Sequence, residues 1–127
     1  MTGNNPFNIR SGCKWLGLVG SRKGFCVFDS LEYGVRAACV LLLQSYRKKR
    51  VYTIRSIIGR FAPVSENDTS LYIQYVCAST GYSSRMHLFS LVQYAKILSA
   101  MAWYETHTRI SVSYILEVIR KYNIFIV

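Results

Sequence analysis

The segment "MHLFSLVQYAKILSAMAWYE" (Met86 to Glu105) carries the strongest helical pattern in the chain. Its apolar residues recur every three or four positions, at Leu88, Leu91, Val92, Ala95, Leu98 and Ala102. This spacing places them on one face of an α-helix, because successive residues of a helix are rotated by about 100°. We therefore predict a long helix over residues 86–105 that packs against other helices.

The rest of the chain predicts four more helices and one extended segment. The helices run from about Leu31 to Arg47, from the cap Thr53 to Ala62–Pro63, from the capping run Ser65–Asp68 to Gly81, and from Val112 to Tyr122. Asp29 or Ser30 caps the first of these helices, and "GFCVFDS" (residues 24–30) is typical of a strand. The fold class is therefore mainly α, with a small extended segment near the N-terminus. We expect one domain over residues 1–127, with the apolar tail "NIFIV" packed back on its body.

Composition excludes several classes of protein. Hydrophobic residues make up 51% of the 127 residues and charged residues 17%, which is typical of a folded globular chain. No apolar run approaches the roughly 20 residues that a membrane span needs. No secretory signal is readable, so we expect a protein made in the cytoplasm without a signal peptide.

The chain carries a formal net charge of +10, which attracts polyanions. The densest basic cluster is "YRKKR" (residues 46–50), which is either a solvated helix end or a binding surface. Nucleic acid, anionic lipid and an acidic cell-wall polymer all fit the charge. Nucleic acid is not favoured, because no nucleic-acid-binding motif is present.

The four cysteines form no metal motif. Cys13, Cys26, Cys39 and Cys77 include no CxxC pair, and the two histidines lack ligand spacing. Cys39 and Cys77 are interpreted as small core residues, and a disulfide between Cys13 and Cys26 stays open. We predict no metal site and no cofactor.

The segment "NNPFNIRSGCKWLG" (Asn4 to Gly17) is too polar for a core strand. It is either a loop ordered by its own hydrogen bonds or the lining of a site. Together with "KWLG", its "NNPFNIR" resembles the Asn-rich segment beside the glycan cleft of bacterial cell-wall glucosaminidases of the lysozyme superfamily. More closely, "NNPFNIR" and "APVSENDT" together resemble small phage and prophage proteins described as virion structural or lysozyme-like. This resemblance covers about Asn4 to Gly81 and extends more loosely to Glu105.

The resemblance implies a lysozyme-like helical domain that acts on peptidoglycan. Polar and stacking contacts to sugars would then come from Asn5, Asn8, Arg10, Trp15 and Tyr75, with Glu66 sharing the cleft. The family carries its catalytic glutamate on a helix upstream of the Asn-rich loop, in a pattern like "A–x–x–x–E–S/T". Only Met1, Thr2 and Gly3 precede Asn4 in this sequence, so we expect an active enzyme to take its acid from another segment.

A glycosidase needs a carboxylic acid that stays protonated near neutral pH, usually in apolar surroundings. The chain offers six acids, Asp29, Glu32, Glu66, Asp68, Glu105 and Glu117. Helix capping and first-turn positions account for Asp29 and Glu32, and capping also accounts for Glu66 and Asp68, although their "ENDT" run is denser than one cap needs. Glu117 is interpreted as a surface ion-pair partner of Arg120 or Lys121.

Glu105 is different, because it ends the most apolar helix of the chain. "SAMAWYET" resembles the missing catalytic pattern, and burial at the negative end of a helix dipole would raise the pKa of this carboxyl. One hypothesis is a circularly permuted lysozyme-like domain with Glu105 as the general acid. The alternative is an ordinary helix-end residue, and the sequence does not choose between the two.

Two functions follow from these observations. The first is a peptidoglycan glycosidase or lytic transglycosylase, delivered by a phage particle or as an antibacterial secreted effector, and acting in the periplasm or as part of a virion. Its partners would be peptidoglycan or another acidic wall polymer, and an immunity protein or virion protein. The alternative is a non-catalytic virion structural or cell-wall-binding protein that keeps only the fold.

Overall fold

The computed structural model of the protein describes all 127 residues. Each of its long helices has a side-chain cap at its N-terminus. The elements are β1 (Leu18–Arg22), β2 (Phe25–Phe28), α1 (Leu31–Val40), a π-helical segment (Leu41–Ser45), α2 (Tyr46–Lys48), α3 (Ile54–Phe61), α4 (Thr69–Thr80), α5 (Leu91–Thr106) and α6 (Val112–Lys121). The caps are Ser30, Thr53, Asp68, Ser90 and Ser111, and each side chain accepts a hydrogen bond from the backbone N–H three residues later. The predicted caps Thr53 and Asp68 are therefore confirmed, and Ser30 rather than Asp29 caps the first helix.

The helix predicted from Met86 begins at Leu91 instead. Ser90 and Gln93 form a capping box, which fixes the first turn of α5 at this point. The backbone N–H of Leu88 donates instead to the carbonyl of Tyr52, at 2.9 Å, in a different part of the chain. Leu88 is buried in this arrangement, whereas Leu91 and Val92 are exposed, so the N-terminal part of the predicted apolar stripe was wrong.

The first predicted helix is observed as one continuous helical rod from Leu31 to Lys48, interrupted only in its hydrogen-bond pattern by the π-helical segment. Arg47, in the last turn of this rod, holds distant parts of the chain together. Its guanidinium donates to the carbonyl of Leu88 at 2.7 Å, to the hydroxyl of Tyr94 at 3.0 Å and to the carbonyl of Val127 at 2.9 Å. The C-terminal tail thus contacts the body, with Ile124 buried, but the side chains of Phe125 and Val127 are exposed, so only part of the predicted packing is observed. The basic cluster exposed to solvent is reduced to residues 48–50.

The strand predicted near residues 24–30 is confirmed as β2, which pairs antiparallel with β1. Lys23 and Gly24 connect the two strands, and both have a positive φ, at 52° and 84°. The strand β1 was not predicted, because "LVGSR" shows no alternation of apolar and polar residues; four of its five residues are exposed in the structure. This hairpin is the whole sheet, so the mainly α fold class is confirmed.

Thirty buried apolar residues form one hydrophobic cluster to which all the long helices contribute. Cys39 is fully buried, as predicted, and Cys77 is half-buried. Cys13 is exposed and Cys26 is buried, and both thiols are free. None of the helices combines the length and the apolar character required to cross a membrane.

Candidate active site

Buried amide hydrogen bonds order the N-terminal loop. Asn5 is 1% exposed, and its Nδ2 donates to the carbonyls of Ile9 and Cys26, at 3.0 and 3.1 Å. Its Oδ1 accepts from the backbone N–H of Ile9 at 2.9 Å. Both the nitrogen and the oxygen of this amide are thus hydrogen-bonded to the backbone. These bonds offset the free-energy cost of burying a polar amide. The expected role of Asn5 as a sugar contact is therefore corrected, since its place is structural.

The same loop docks on the C-terminal end of α5. Nδ2 of Asn8 donates to Oε1 of Glu105 at 3.1 Å and to the Glu105 carbonyl at 3.3 Å. Oγ1 of Thr106 donates to the carbonyl of Pro6 at 2.8 Å. Asn8 has a φ of 52°, in the left-handed region that asparagine tolerates better than most residues. The loop conformation thus presents the Asn8 amide to Glu105, which lies 97 residues away in the chain.

Glu105 has the electrostatic setting expected of an acid. Burial raises the pKa of its carboxyl above the ordinary value, and this effect outweighs the hydrogen bond from Asn8 and the positive charge of Arg10, which both lower it. The negative end of the α5 dipole also favours the neutral form. The carboxyl is therefore protonated over a wider pH range than an exposed glutamate.

The Glu105 pocket is a cavity of about 130 Å³ in front of this carboxyl. Its lining residues are Asn8, Arg10, Phe25, Phe61, Ala62, Asn67 and Glu105. Since one water needs about 10–15 Å³ of such space, the pocket has room for several waters or for part of one sugar ring. Of the sequence-predicted residues, Asn8, Arg10 and Glu105 line it together.

Arg10 connects the pocket to the "ENDT" run (residues 66–69). Its guanidinium lies 3.4 Å from Oε2 of Glu66 and 5.2 Å from the ring centre of Phe25. The Arg10 and Glu66 side chains are 56% and 46% exposed, so the ion pair lies at the rim of the pocket and contributes little to stability. The loop and the "ENDT" run are thus in contact through Arg10, whereas Asn8 contacts Glu105.

Three tyrosine rings pack beside the acid. The rings of Tyr72 and Tyr104 stack with centroids 3.9 Å apart, and the ring centre of Tyr75 lies 5.4 Å from that of Tyr104. The buried Tyr72 hydroxyl is close to the Glu105 carboxyl but makes no hydrogen bond of standard geometry. Burial and the neighbouring Glu105 charge raise the pKa of Tyr72, so its hydroxyl stays a donor. Tyr75 was predicted from the sequence and Tyr72 was not, because a tyrosine on a core-facing helix position is typical of packing.

Trp15 lies outside the lining of the Glu105 pocket. Its ring is half-buried against the hydrophobic core, and its indole N–H is buried without a hydrogen-bond partner. Trp15, which was expected to contact sugars, is therefore not brought together with Glu105 in this pocket. Phe25, Phe61 and Asn67, which do line the pocket, were missed because each is unremarkable in its own segment.

The remaining acids are used elsewhere. Asp68 caps α4, and Asp29 is exposed. Glu32 accepts hydrogen bonds from Lys121 and Tyr122, which lower the pKa of its carboxyl. Glu117 is exposed and forms no ion pair, so its predicted pairing was wrong because Lys121 binds Glu32 instead.

No three side chains of His, Cys, Asp or Glu lie close enough together to hold a metal ion. The largest cavity of the protein, about 700 Å³, lies apart from Glu105 between α4, α5 and the start of α6, and no acidic residue lines it. The acid and the largest cavity are therefore separate features of the molecule.

Comparison with known proteins shows a similarity to a phage protein. No protein-family model matches the chain. Over 104 residues the chain is 34% identical to Protein P5 of Pseudoalteromonas phage PM2, a protein whose name states no activity. The aligned region covers 77% of this chain and 64% of Protein P5, so the chain spans somewhat less than two thirds of that relative's length. The chain is thus similar to a phage protein, which agrees with the phage part of the sequence resemblance.

Proposed function

We propose that the protein is a phage-associated peptidoglycan glycosidase or lytic transglycosylase with a circularly permuted lysozyme-like domain. The observation that carries the proposal is the Glu105 carboxyl, which is largely buried at the end of α5 and faces a pocket shared with the Asn-rich loop. Glu105 and Thr106 supply the "E–S/T" pair of the family pattern. Both contact the Asn-rich loop, although they follow it in the chain.

Glu105 acts as the general acid in this proposal. Its protonated carboxyl donates a proton to the glycosidic oxygen while the bond from that oxygen to the anomeric carbon breaks. The resulting carboxylate then takes a proton from the hydroxyl group that attacks the anomeric carbon. That hydroxyl belongs to water in hydrolysis and to the substrate itself in transglycosylation, and either route restores the acid.

A single carboxyl serves both steps, because Glu66, at the rim of the pocket, is engaged by Arg10. Inverting and retaining glycosidases usually need a second carboxylate on the other side of the sugar. Chemistry with one glutamate avoids this need, since the substrate or an activated water replaces the second group. Asn8 orients the carboxyl, and Arg10 is placed to contact polar groups of the glycan.

The test is the release of soluble muropeptides from purified sacculi by the wild type, Glu105→Gln and Glu117→Gln. Glutamine keeps the size of the side chain but has no acid proton, so Glu105→Gln should lose about 10²–10⁴-fold in rate. Glu117 is exposed and unpaired, so Glu117→Gln is the matched control and should keep full activity. Equal release by the wild type and Glu105→Gln would exclude Glu105 as the acid.

A non-catalytic virion protein is the second candidate, and the similarity to a phage protein supports it. In this case the wild type would sediment with sacculi, or with phage particles, and release no muropeptide. The products of an active protein distinguish its two chemistries, because transglycosylation gives a saccharide lighter by one water than hydrolysis.

A further inference from the structure

The largest cavity has the composition of an anion-binding groove. It lies between α4, α5 and the N-terminus of α6, and we call it the Arg109 groove. Lys96 and Arg109 provide two positive charges, Tyr75 and Trp103 provide aromatic surface, and no acidic residue lines it. Its volume of about 700 Å³ is typical of cavities that hold a small organic ligand.

Arg109 is a positioned cation without a carboxylate partner. Its guanidinium carbon lies 4.4 Å from the ring centre of Trp103, which is cation–π distance. His107 packs edge-on against the same indole, with ring centres 5.0 Å apart. The two ion pairs of the protein involve Arg10 and Lys121, so Arg109 keeps its charge and its donors free. A guanidinium that is already oriented loses less freedom when it binds a carboxylate in bidentate fashion.

The N-terminus of α6 adds to the positive potential of the Arg109 groove. Ser111 and Val112 line the groove, and Ser111 is the cap of this helix. The first-turn N–H groups of a helix and its dipole favour a negative charge nearby. The helix end and the two basic side chains therefore act in the same direction.

A row of aromatic rings connects this groove to the acid. Tyr75 lines the groove and packs against Tyr104, with ring centres 5.4 Å apart. Tyr104 stacks on Tyr72, whose hydroxyl is close to Glu105. Tyr72 is buried, so this row links the groove to the acid by side-chain packing inside the protein, and a ligand in the groove contacts only its outer ring, Tyr75.

We propose that the Arg109 groove binds a carboxylate on the peptide-bearing sugar of the glycan, with Arg109 as its main ligand and Lys96 as a second cation. This inference rests on the proposed function, because it names the part of the substrate that lies beyond the cleaved bond. A glycan is favoured over nucleic acid because affinity for a phosphate backbone needs a longer series of cations than these two. The half-buried rings of Tyr75 and Trp103, which line the groove, also provide aromatic surface on which sugar rings can pack.

The experiment is calorimetric titration of a purified disaccharide-tetrapeptide with free carboxylates into Glu105→Gln protein, which should not consume the probe. Loss of a hydrogen-bonded charge is worth about one to two powers of ten in affinity, so adding Arg109→Gln should weaken binding by about 10–100-fold. Lys96→Gln should weaken it less, and the same probe with amidated carboxylates should bind as weakly as the Arg109 variant does. Arg85→Gln, at an exposed arginine outside the groove, is the matched control and should change nothing.

The two proposals fail separately in this design. If the probe binds in a way that depends on Arg109 but the wild type cleaves no glycan, the proposed carboxylate site is supported and the proposed enzymatic activity is refuted. Equal affinity with and without Arg109, or no binding of the probe at all, would overturn the groove even if Glu105 proves catalytic. Binding of a single-stranded DNA oligonucleotide that depends on Arg109, without binding of the saccharide, would overturn it in favour of nucleic acid.

Discussion

Replacing Asn8 by glycine removes one hydrogen-bond donor from Glu105 while the loop backbone keeps its conformation. The Asn8 amide donates to Oε1 of Glu105 at 3.1 Å and to the carbonyl of the same residue at 3.3 Å. Its φ of 52° is one that glycine adopts freely, whereas alanine would add strain of about 1–2 kcal/mol. Asn8→Gly therefore reports mainly on the lost amide.

The magnitude depends on the charge of the acceptor. A hydrogen bond to a charged group contributes about 1.5–3 kcal/mol to stability, and a neutral one about 0.5–1.5 kcal/mol. The loss at Asn8 should thus be about 1 kcal/mol larger when Glu105 is ionised than when it is protonated.

The sign of the pH dependence follows from the pKa of Glu105. Burial raises this pKa in the folded protein, and the Asn8 hydrogen bond works against that rise. Stability from a group with a raised folded pKa is fully present below its unfolded pKa and is lost as the pH rises through its folded pKa. Without Asn8 the folded pKa rises further and more stability is lost, so the cost of Asn8→Gly should grow with pH.

Urea unfolding followed by circular dichroism measures this, at about pH 4 and about pH 8, values on either side of the expected titration. The free energy of unfolding is compared for the wild type, Asn8→Gly, Glu105→Gln and the double variant. The cost of Asn8→Gly should rise by about 1 kcal/mol between the two pH values, and this rise should vanish in the Glu105→Gln background. A cost that is the same at both pH values, or the same in both backgrounds, would refute the assigned contact.

Three further predictions follow from the structure. Glu105→Gln should be more stable than the wild type at about pH 8 and closer to it at about pH 4, because it removes the cost of burying an ionised carboxylate; thermal unfolding at both values checks this. Gly34→Ala should destabilise the protein by about 1–3 kcal/mol or more, because a Cβ at this position would lie 2.1 Å from the carbonyl oxygen of Asn4; urea unfolding measures it, and a loss below about 0.5 kcal/mol would contradict the close packing. Charge reversal at residues 48–50 should weaken retention on anionic sacculi, more so at low salt, where screening is least; unchanged sedimentation at low ionic strength would count against a binding role for this cluster.

Local chemistry determined most of the helices. The caps of α3 and α6 form within four residues, between Thr53 and Ser56 and between Ser111 and Tyr114. The start of each helix is therefore determined by residues that are neighbours in the sequence. Gly81 ends α4 for the same local reason, since its φ of 78° suits glycine. Such boundaries can be predicted because their energy comes from neighbours along the chain.

Pairing with other segments of the chain decided the points that the sequence pattern missed. Apolar periodicity continues from α5 back to Leu88, but the hydrogen bond between Leu88 and Tyr52 takes this residue out of the helix. The strand β1 is mostly exposed, so it depends on its pairing with β2 and carries no apolar pattern of its own. In the first case a hydrogen-bond partner that is distant in sequence overrides the local helical preference. In the second case the pairing of two strands stabilises a segment whose own sequence does not indicate a strand.

The candidate site divides in the same way. The sequence alone singled out Glu105, because it ends an apolar helix in the "SAMAWYET" pattern, and it singled out the Asn-rich loop by its composition. Only the tertiary structure joined the two, since the contact between Asn8 and Glu105 spans 97 residues. It also separated Asn5, which is consumed inside the loop, from Asn8, which faces the acid, because burial and hydrogen-bond geometry distinguish two asparagines that composition cannot.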